Sequence, residues 1–421
     1  MINAAQLELT ATVLAQILTF KQPADVALSA FFRRERKLGG RDRHEIAETV
    51  FATLRHFQKI QTVLVKPSAK PRLAALAALV FGRGLSVSAL SELVNEKEEQ
   101  WLTQIKAQKE EFAGVLTTAA ELPLWLIELL QQQGWSDEEV TDYGRSIMQS
   151  APLDLRVNTL KAKRDKVLAL LQEEGMRAEA TPFSPWGIRL YDKPALNRHP
   201  LFIDGTVEVQ DEGSQLLALL TGARRGQIVV DFCAGAGGKT LAMGAMMAGS
   251  GRLYAFDIAE KRLANLKPRM VRAGLTNIHT QRIDNEHDIR INRLQGKADC
   301  VLVDAPCSGL GTLRRNPDLK YRQNGDNVVA LCQQQQSILK AASALVRTGG
   351  RLVYATCSIL HAENQQQINE FLVNNSGWRI EPAYELIKSV SLPVANSPFL
   401  QLNTRQHHTD GFFAAVLSKN T

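Results

Sequence analysis

Four short, almost unbroken apolar runs recur in the second half of the chain: QIVVDFC (227–233), GRLYAFDI (251–258), ADCVLVDAP (298–306) and RLVYATCS (351–358). Stretches of helical spacing separate them. The longest, DNVVALCQQQQSILKAASALV (326–346), is expected to stop at Gly349-Gly350. Strands apolar at successive positions must be buried on both faces, and strands joined by helices run parallel. The pattern predicts a doubly wound, Rossmann-like α/β domain over residues 213–421. The final run, DGFFAAVLSK, has no helix after it and is expected to pair antiparallel with a strand near WRIEPAY.

The first 145 residues read differently. Apolar residues recur three and four apart in ELTATVLAQIL and EIAETVFATLRHFQKIQTVL, and Pro23, Pro67, Pro71, Gly82 and Gly84 punctuate them. An all-α domain is predicted over 1–145. Residues 146–212 read as a small α+β module, with strands at LDLRVNT, RAEATPF and GIRLYDK around the helix KRDKVLALLQEEG. Two or three domains suit 421 residues.

Five cysteines without a CxxC pair argue against a disulfide framework and a structural zinc site, so no metal is expected. The N-terminus lacks the marks of a signal peptide, and no apolar run nears the roughly 20 residues of a membrane span. A cytoplasmic, monomeric protein without a membrane partner is the expectation. The net charge of +7 permits a polyanionic partner. Its densest expression is RRERKLGGRDRH (33–44), where Arg33, Arg34, Arg36, Lys37, Arg41 and Arg43 form a candidate phosphate-binding loop, although such runs are more often plain solvated surface.

In a doubly wound sheet, ligands bind beyond the carboxyl ends of the strands. The first strand runs into DFCAGAGGKT (231–240), whose glycines 235, 237 and 238 allow a tight turn. It is not a phosphate loop, because Cys233 stands where that loop needs glycine, nor a dinucleotide fingerprint, whose third glycine would fall at Thr240. Asp257 lies 20 residues after Gly237, a spacing suited to ribose hydroxyls, and Asp284 follows a plausible third strand where an adenine amine could be met. A nucleoside held without a phosphate cradle describes S-adenosylmethionine.

Counting the plausible third strand before Asp284, Asp304 and Cys307 close the fourth strand and Cys357 the fifth, so neighbouring parallel strands would bring them to one rim. Cytosine C5 does not attack a sulfonium methyl unaided; a thiolate added at C6 makes it nucleophilic. The helix AENQQQINEFLVNN, starting after Cys357, is expected to supply a favourable field to the thiol. Either cysteine could be the nucleophile on these grounds. Cys300 and Cys332, inside a strand and a helix, read as packing residues.

The motifs DFCAGAGGKT, DAPCSGLGTLRRNPDLK and YATCS closely resemble those of the RNA 5-methylcytosine methyltransferases of the Nol/Nop/Sun type, nearest their bacterial 16S rRNA branch. The resemblance is strong over 210–420, fair over 120–210 and loose before that. It implies a NusB-like RNA-binding domain, an RRM-like module and a class I methyltransferase domain. It also implies ribosomal RNA, from the 16S or small-subunit precursor, as substrate. Cys233, Ala234, Gly235, Ala236, Gly237, Gly238 and Lys239 would wrap the methionine part of S-adenosylmethionine, Asp257 the ribose and Asp284 the adenine. Asp304 would border the methyl donor and meet the cytosine. Cys357 would be the nucleophile, and Cys307 would assist release. Lys239 has two candidate partners, the base and the cofactor carboxylate.

Gly235-Ala236 stands where the family commonly has Ala-Pro, which removes a fixed φ and is expected to loosen the turn. After Cys307, the residues Arg314, Arg315, Lys320 and Arg322, with Tyr321 for stacking, suit an RNA strand with a flipped base. A ribosome-assembly factor with little activity is the alternative, as is a DNA or protein methyltransferase. Retention of both thiols, Asp304 and Lys239 argues against the first. The second thiol and the basic N-terminal region argue against the other.

Overall fold

The computed structural model describes residues 2–192, 194–387, 392 and 397–420. The chain forms two compact units, Met1–Ser150 with Thr312–Asn327, and Ala151–Gly311 with Val328–Thr421. The division differs from a simple three-part sequence in two ways. The α+β module shares a unit with the sheet domain, and a short segment after the Cys307 loop belongs with the N-terminal helices.

The first unit is helical. Asn3 caps the helix Ala4–Ile17 by accepting from the Gln6 amide, while the Gln6 side chain accepts from Asn3, a reciprocal pair that fixes the start. Pro71 opens the helix Pro71–Phe81, whose residues 74–80 are all buried. A helix apolar all round must lie at the centre, and here it does. The basic loop is shorter than the sequence suggests: Arg33 and Arg34 end the helix Ala24–Arg34, and Gly40 already begins the helix Gly40–Arg55.

The segment 312–327 packs into this unit through side chains the sequence assigns to RNA. Tyr321 lies among Phe20 and Phe57, with ring centroids 5.1 and 5.0 Å away. The Lys320 ammonium is buried and donates to the main-chain oxygens of Glu121 at 2.6 Å and Arg55 at 3.2 Å. Trp125 donates to the Lys320 carbonyl at 3.2 Å, and Asp318 accepts from the Ala24 amide at 3.2 Å. Lys320 and Tyr321 are therefore packed as ties within this unit rather than laid out as a basic, aromatic surface. Arg314 is buried as well. Arg322 pairs with Asp318 one turn away, at 3.4 Å.

The second unit carries two sheets. In the small one, β1 (Leu153–Val157), β2 (Ala178–Ala180), β3 (Gly187–Leu190) and β4 (Val207–Val209) run antiparallel in the order β2-β3-β1-β4. Three-residue β4 is too short to show a period and was not legible. Arg269 and Arg272, on the helix Glu260–Ala273, reach Glu208 of β4 at 2.9 and 2.6 Å and bind the module to the larger domain.

The large sheet is built from β5 (Ile228–Asp231), β6 (Arg252–Asp257), β7 (Ile278–Arg282), β8 (Ala298–Asp304), β9 (Val346–Thr356), β10 (Trp378–Glu381), β11 (Leu400–Leu402) and β12 (Phe412–Lys419). The order is β10-β12-β9-β8-β5-β6-β7, with β11 paired to β12. Strands β5 to β9 are parallel, and β12 pairs antiparallel with both β9 and β10. Alternate residues pack on opposite faces: Val229, Leu302 and Val353 in one core, Val230, Val301 and Leu352 in the other. This two-sided burial is why those runs are unbroken. Gly349-Gly350 proves to lie within β9; the long helix stops earlier, at Ser343. The chain order reverses between β5 and β8, which places the ligand crevice at their carboxyl ends.

Candidate active site

The turn after β5 enters the helix Gly238–Met246 through two left-handed glycines, Gly235 (φ 55°) and Gly237 (φ 85°). A Cβ at Gly237 would lie 2.2 Å from the Leu266 side chain, so no other residue fits. Hydrogen bonds take over the constraint that proline would give. Gly237 donates to the Ala234 carbonyl at 2.9 Å, Arg269 donates to the Ala236 carbonyl, and Gly235 donates to Asp257 at 2.8 Å.

Asp257 ends β6 and also accepts from the Ala259 amide at 2.7 Å. Each carboxylate oxygen retains a lone pair for a ribose hydroxyl. Ile258 beside it is a large apolar side chain left exposed. Asp284 is placed differently. It lies past β7 with an exposed carboxylate held by Arg282 at 2.9 Å and Arg290 at 2.7 Å. The buried acid of that loop is Asp288, which accepts from the Asp284 amide.

Asp231, at the end of β5, escaped the sequence reading. It is buried, accepts from Thr240 Oγ1 at 2.6 Å, and leaves its other oxygen without a partner. Burial pushes its carboxyl up to about 7, against the Thr240 hydrogen bond. An acid directly before a glycine turn was the available signal. The orphaned oxygen, the left-handed turn and the Asp257 acceptor together fit the amino-acid and ribose parts of S-adenosylmethionine.

Lys239 and Asp304 meet at 2.7 Å. Burial pulls the ammonium down, but the charge and hydrogen bond of Asp304 prevail and its pKa is raised. The same ammonium also interacts with Cys357. Cys307 and Cys357 lie with their sulfurs 3.4 Å apart, so the structure brings together the four side chains Lys239, Asp304, Cys307 and Cys357 expected to do chemistry. The hydrogen bond to Cys357, then burial, hold the Cys307 thiol well above the ordinary range, so Cys307 keeps its proton. Cys233 is also pushed up, by burial and then by Asp304, which leaves it an inert wall of the turn. Burial raises Cys300 to about 12 and Cys332 to about 11, in keeping with packing roles.

The thiol loops are tied to each other. Gly311 donates to the Cys357 carbonyl at 2.8 Å, and a Cβ there would sit 2.1 Å from the Gly411 carbonyl oxygen. The helix expected to lend Cys357 a positive end begins only at Gln365, beyond a turn at His361–Glu363. What stands at the thiols instead is the buried Glu363 carboxylate. Among the described residues, no acid, histidine and cysteine cluster could hold a metal, and no helix is long and apolar enough to cross a membrane.

A parallel sheet with this reversal point, a glycine turn, a ribose-type acid and no phosphate cradle defines an S-adenosylmethionine-dependent methyltransferase, here one acting on RNA. Residues 218–418 match the family described as 16S rRNA methyltransferase RsmB/F, and 122–197 match its ferredoxin-like domain. The chain belongs to that family. It is 37% identical over 301 residues to the probable ribosomal RNA small subunit methyltransferase B of Synechocystis, covering 70% of this chain and 66% of the relative. It is 31% identical to the Klebsiella pneumoniae ribosomal RNA small subunit methyltransferase B, over 91% of this chain and 92% of the relative. A crystal structure of a methyltransferase homologue from Pyrococcus horikoshii superposes with a TM-score of 0.59 at 25% identity, covering 71% of this chain and 100% of that one.

Proposed function

We propose that this enzyme methylates C5 of a cytosine in small-subunit ribosomal RNA through a covalent adduct on Cys357. The observation that carries the reading is the 3.4 Å approach of two thiols at adjoining strand ends. A methyltransferase attacking a nucleophilic ring nitrogen or hydroxyl would need neither. When bound, S-adenosylmethionine supplies an electrophilic methyl group.

The Cys357 thiolate would add to C6 of the cytosine as N3 gains a proton, which makes C5 nucleophilic; C5 would then bond to the sulfonium methyl as the methyl–sulfur bond breaks and leaves a neutral thioether. Asp304 and Lys239 orient the ring edge. A base then takes the C5 proton, and the Cys357–C6 bond breaks to restore the ring. Cys307, protonated and facing Cys357, assists that departure. The exposed residues Arg33, Arg34, Arg36, Lys37 and Arg41 of the helical unit, with half-buried Arg43, hold RNA phosphates in this reading.

Incubation with rRNA and S-adenosylmethionine tests it. Cys307→Ala is expected to accumulate a denaturation-resistant protein–RNA adduct, and Cys357→Ala to form none. The reverse result would exchange the roles. Bisulfite sequencing of rRNA from cells with and without the gene should reveal one protected cytosine; no difference would reject the C5 assignment and favour an assembly role.

A further inference from the structure

Each cysteine of the pair is followed by a serine, Ser308 and Ser358, and both serines turn inward to one acid. Glu363 is fully buried. One of its oxygens accepts from the Ser308 amide at 2.8 Å and the Gln335 amide group at 3.1 Å. The other accepts from the Ser308 hydroxyl at 2.5 Å and from the Ser358 hydroxyl. Four donors from three segments, the β8 loop, the β9 loop and the helix Gly325–Ser343, thus converge on one carboxylate. The acid is itself held in place. Tyr354 donates to its carbonyl at 2.7 Å, and neighbouring Asn364 bridges Thr356 and the Ser358 carbonyl at 2.5 and 3.0 Å. A carboxylate satisfied four times over is held rigidly.

We propose that Glu363 is the positioning residue of the thiol pair, clamping the serine after each cysteine and so setting the Cys307–Cys357 approach. It touches neither RNA nor cofactor, and acts through the two loops. Neither serine can shift without leaving a buried donor unpaired, so the sulfurs remain in register. The proposal rests on the covalent reading for its effect on turnover, but not for its effect on the thiols.

Its charge adds a second action, since Glu363 faces Cys307 and disfavours a thiolate there. Around Cys307 the other titratable groups are Cys357 at the β9 end and Tyr354 within β9. Cys332, on the helix Gly325–Ser343, also faces Glu363. Lys239, paired with Asp304, acts on the Cys357 side. Removing the Glu363 charge leaves Cys307 easier to deprotonate and Cys357 without a reliable donor.

The test reads both actions on the full chain. Alkylation by iodoacetamide at a series of pH values, with Cys307 and Cys357 resolved by mass spectrometry, follows the thiols directly. Glu363→Gln is expected to raise Cys307 alkylation at pH 8 about tenfold and to lower kcat at least about tenfold with little change in KM. Glu363→Asp, which keeps the charge but shortens the reach, should leave the Cys307 titration near wild type while kcat falls. Ser358→Ala, the mildest change, should behave likewise and covers the case in which Glu363→Gln fails to fold. Unchanged Cys307 alkylation with wild-type kcat in the folded variants would overturn the proposal. If Cys307→Ala traps no adduct while the alkylation shift is present, the covalent reading fails and the clamp stands.

Discussion

Lys239, partly buried, and Lys320, fully buried, are both cations in motifs that the sequence assigns to function, yet they sit in opposite electrostatic settings. Lys239 has a carboxylate, Asp304, at 2.7 Å, and its pKa is raised despite burial. Lys320 has two main-chain oxygens for partners, and burial lowers it to about 8, with only the charge of Glu121 opposing. A cation kept charged by a half-exposed acid is equipped to orient a polar substrate. A cation held by carbonyls at the centre of a helical unit is a tie between segments. The contrast teaches that chemistry follows the partner rather than the residue type.

The largest expected effect breaks the first arrangement. Asp304→Asn removes the charge that keeps Lys239 ionised and, in the proposed reaction, the carboxylate that orients the base. We expect kcat/KM for methyl transfer to fall by about 10²- to 10³-fold, measured with labelled S-adenosylmethionine. A loss below about tenfold would place the pair outside the reaction.

The second prediction concerns Lys320 and pH. Its folded pKa of about 8 lies below the ordinary 10.5, so between these values the unfolded chain binds more protons than the folded one. Stability therefore rises with pH across that window, by about 3 kcal/mol from the size of the shift. Lys320→Met loses the ties to Glu121 and Arg55 but also this pH dependence. Urea unfolding at pH 7.5 and pH 10 should show the wild type gaining stability and the variant not. Equal slopes would mean that Lys320 titrates in the folded chain as it does in the unfolded one.

The sequence disclosed elements wherever burial imposes a period. Strands β5, β6, β8 and β9 were legible because both faces are covered, and β12 because its apolar run exceeds what a loop tolerates. The glycine turn and strand-end thiols were legible because their chemistry is local. Glu363 was not: its role depends on two serines 55 and 5 residues away and on a glutamine of another helix, 28 residues away. The repeated Cys-Ser dipeptide was the one hint of a shared acceptor. The packing of Lys320 and Tyr321 was hidden for the related reason that a basic, aromatic segment reads as surface until something packs over it. Asp231 was hidden in plain view, as the last residue of a strand read only for its hydrophobicity.

The smallest predicted effect separates exposed charge from buried charge. Arg36 and Lys37 lie exposed in the loop between two helices, where nothing but solvent or a partner can neutralise them. If each contacts one phosphate, replacing both with alanine should lower the slope of log affinity against log salt by about 1.4 to 1.8 and weaken rRNA binding modestly at low salt. Lys320→Met should leave that slope unchanged, because a lysine already bound to carbonyls releases no counterion when RNA arrives. Filter binding from 50 to 200 mM salt compares the variants directly. An equal loss of slope in the Lys320 variant would restore that lysine to the RNA surface and remove the distinction drawn between the two cations.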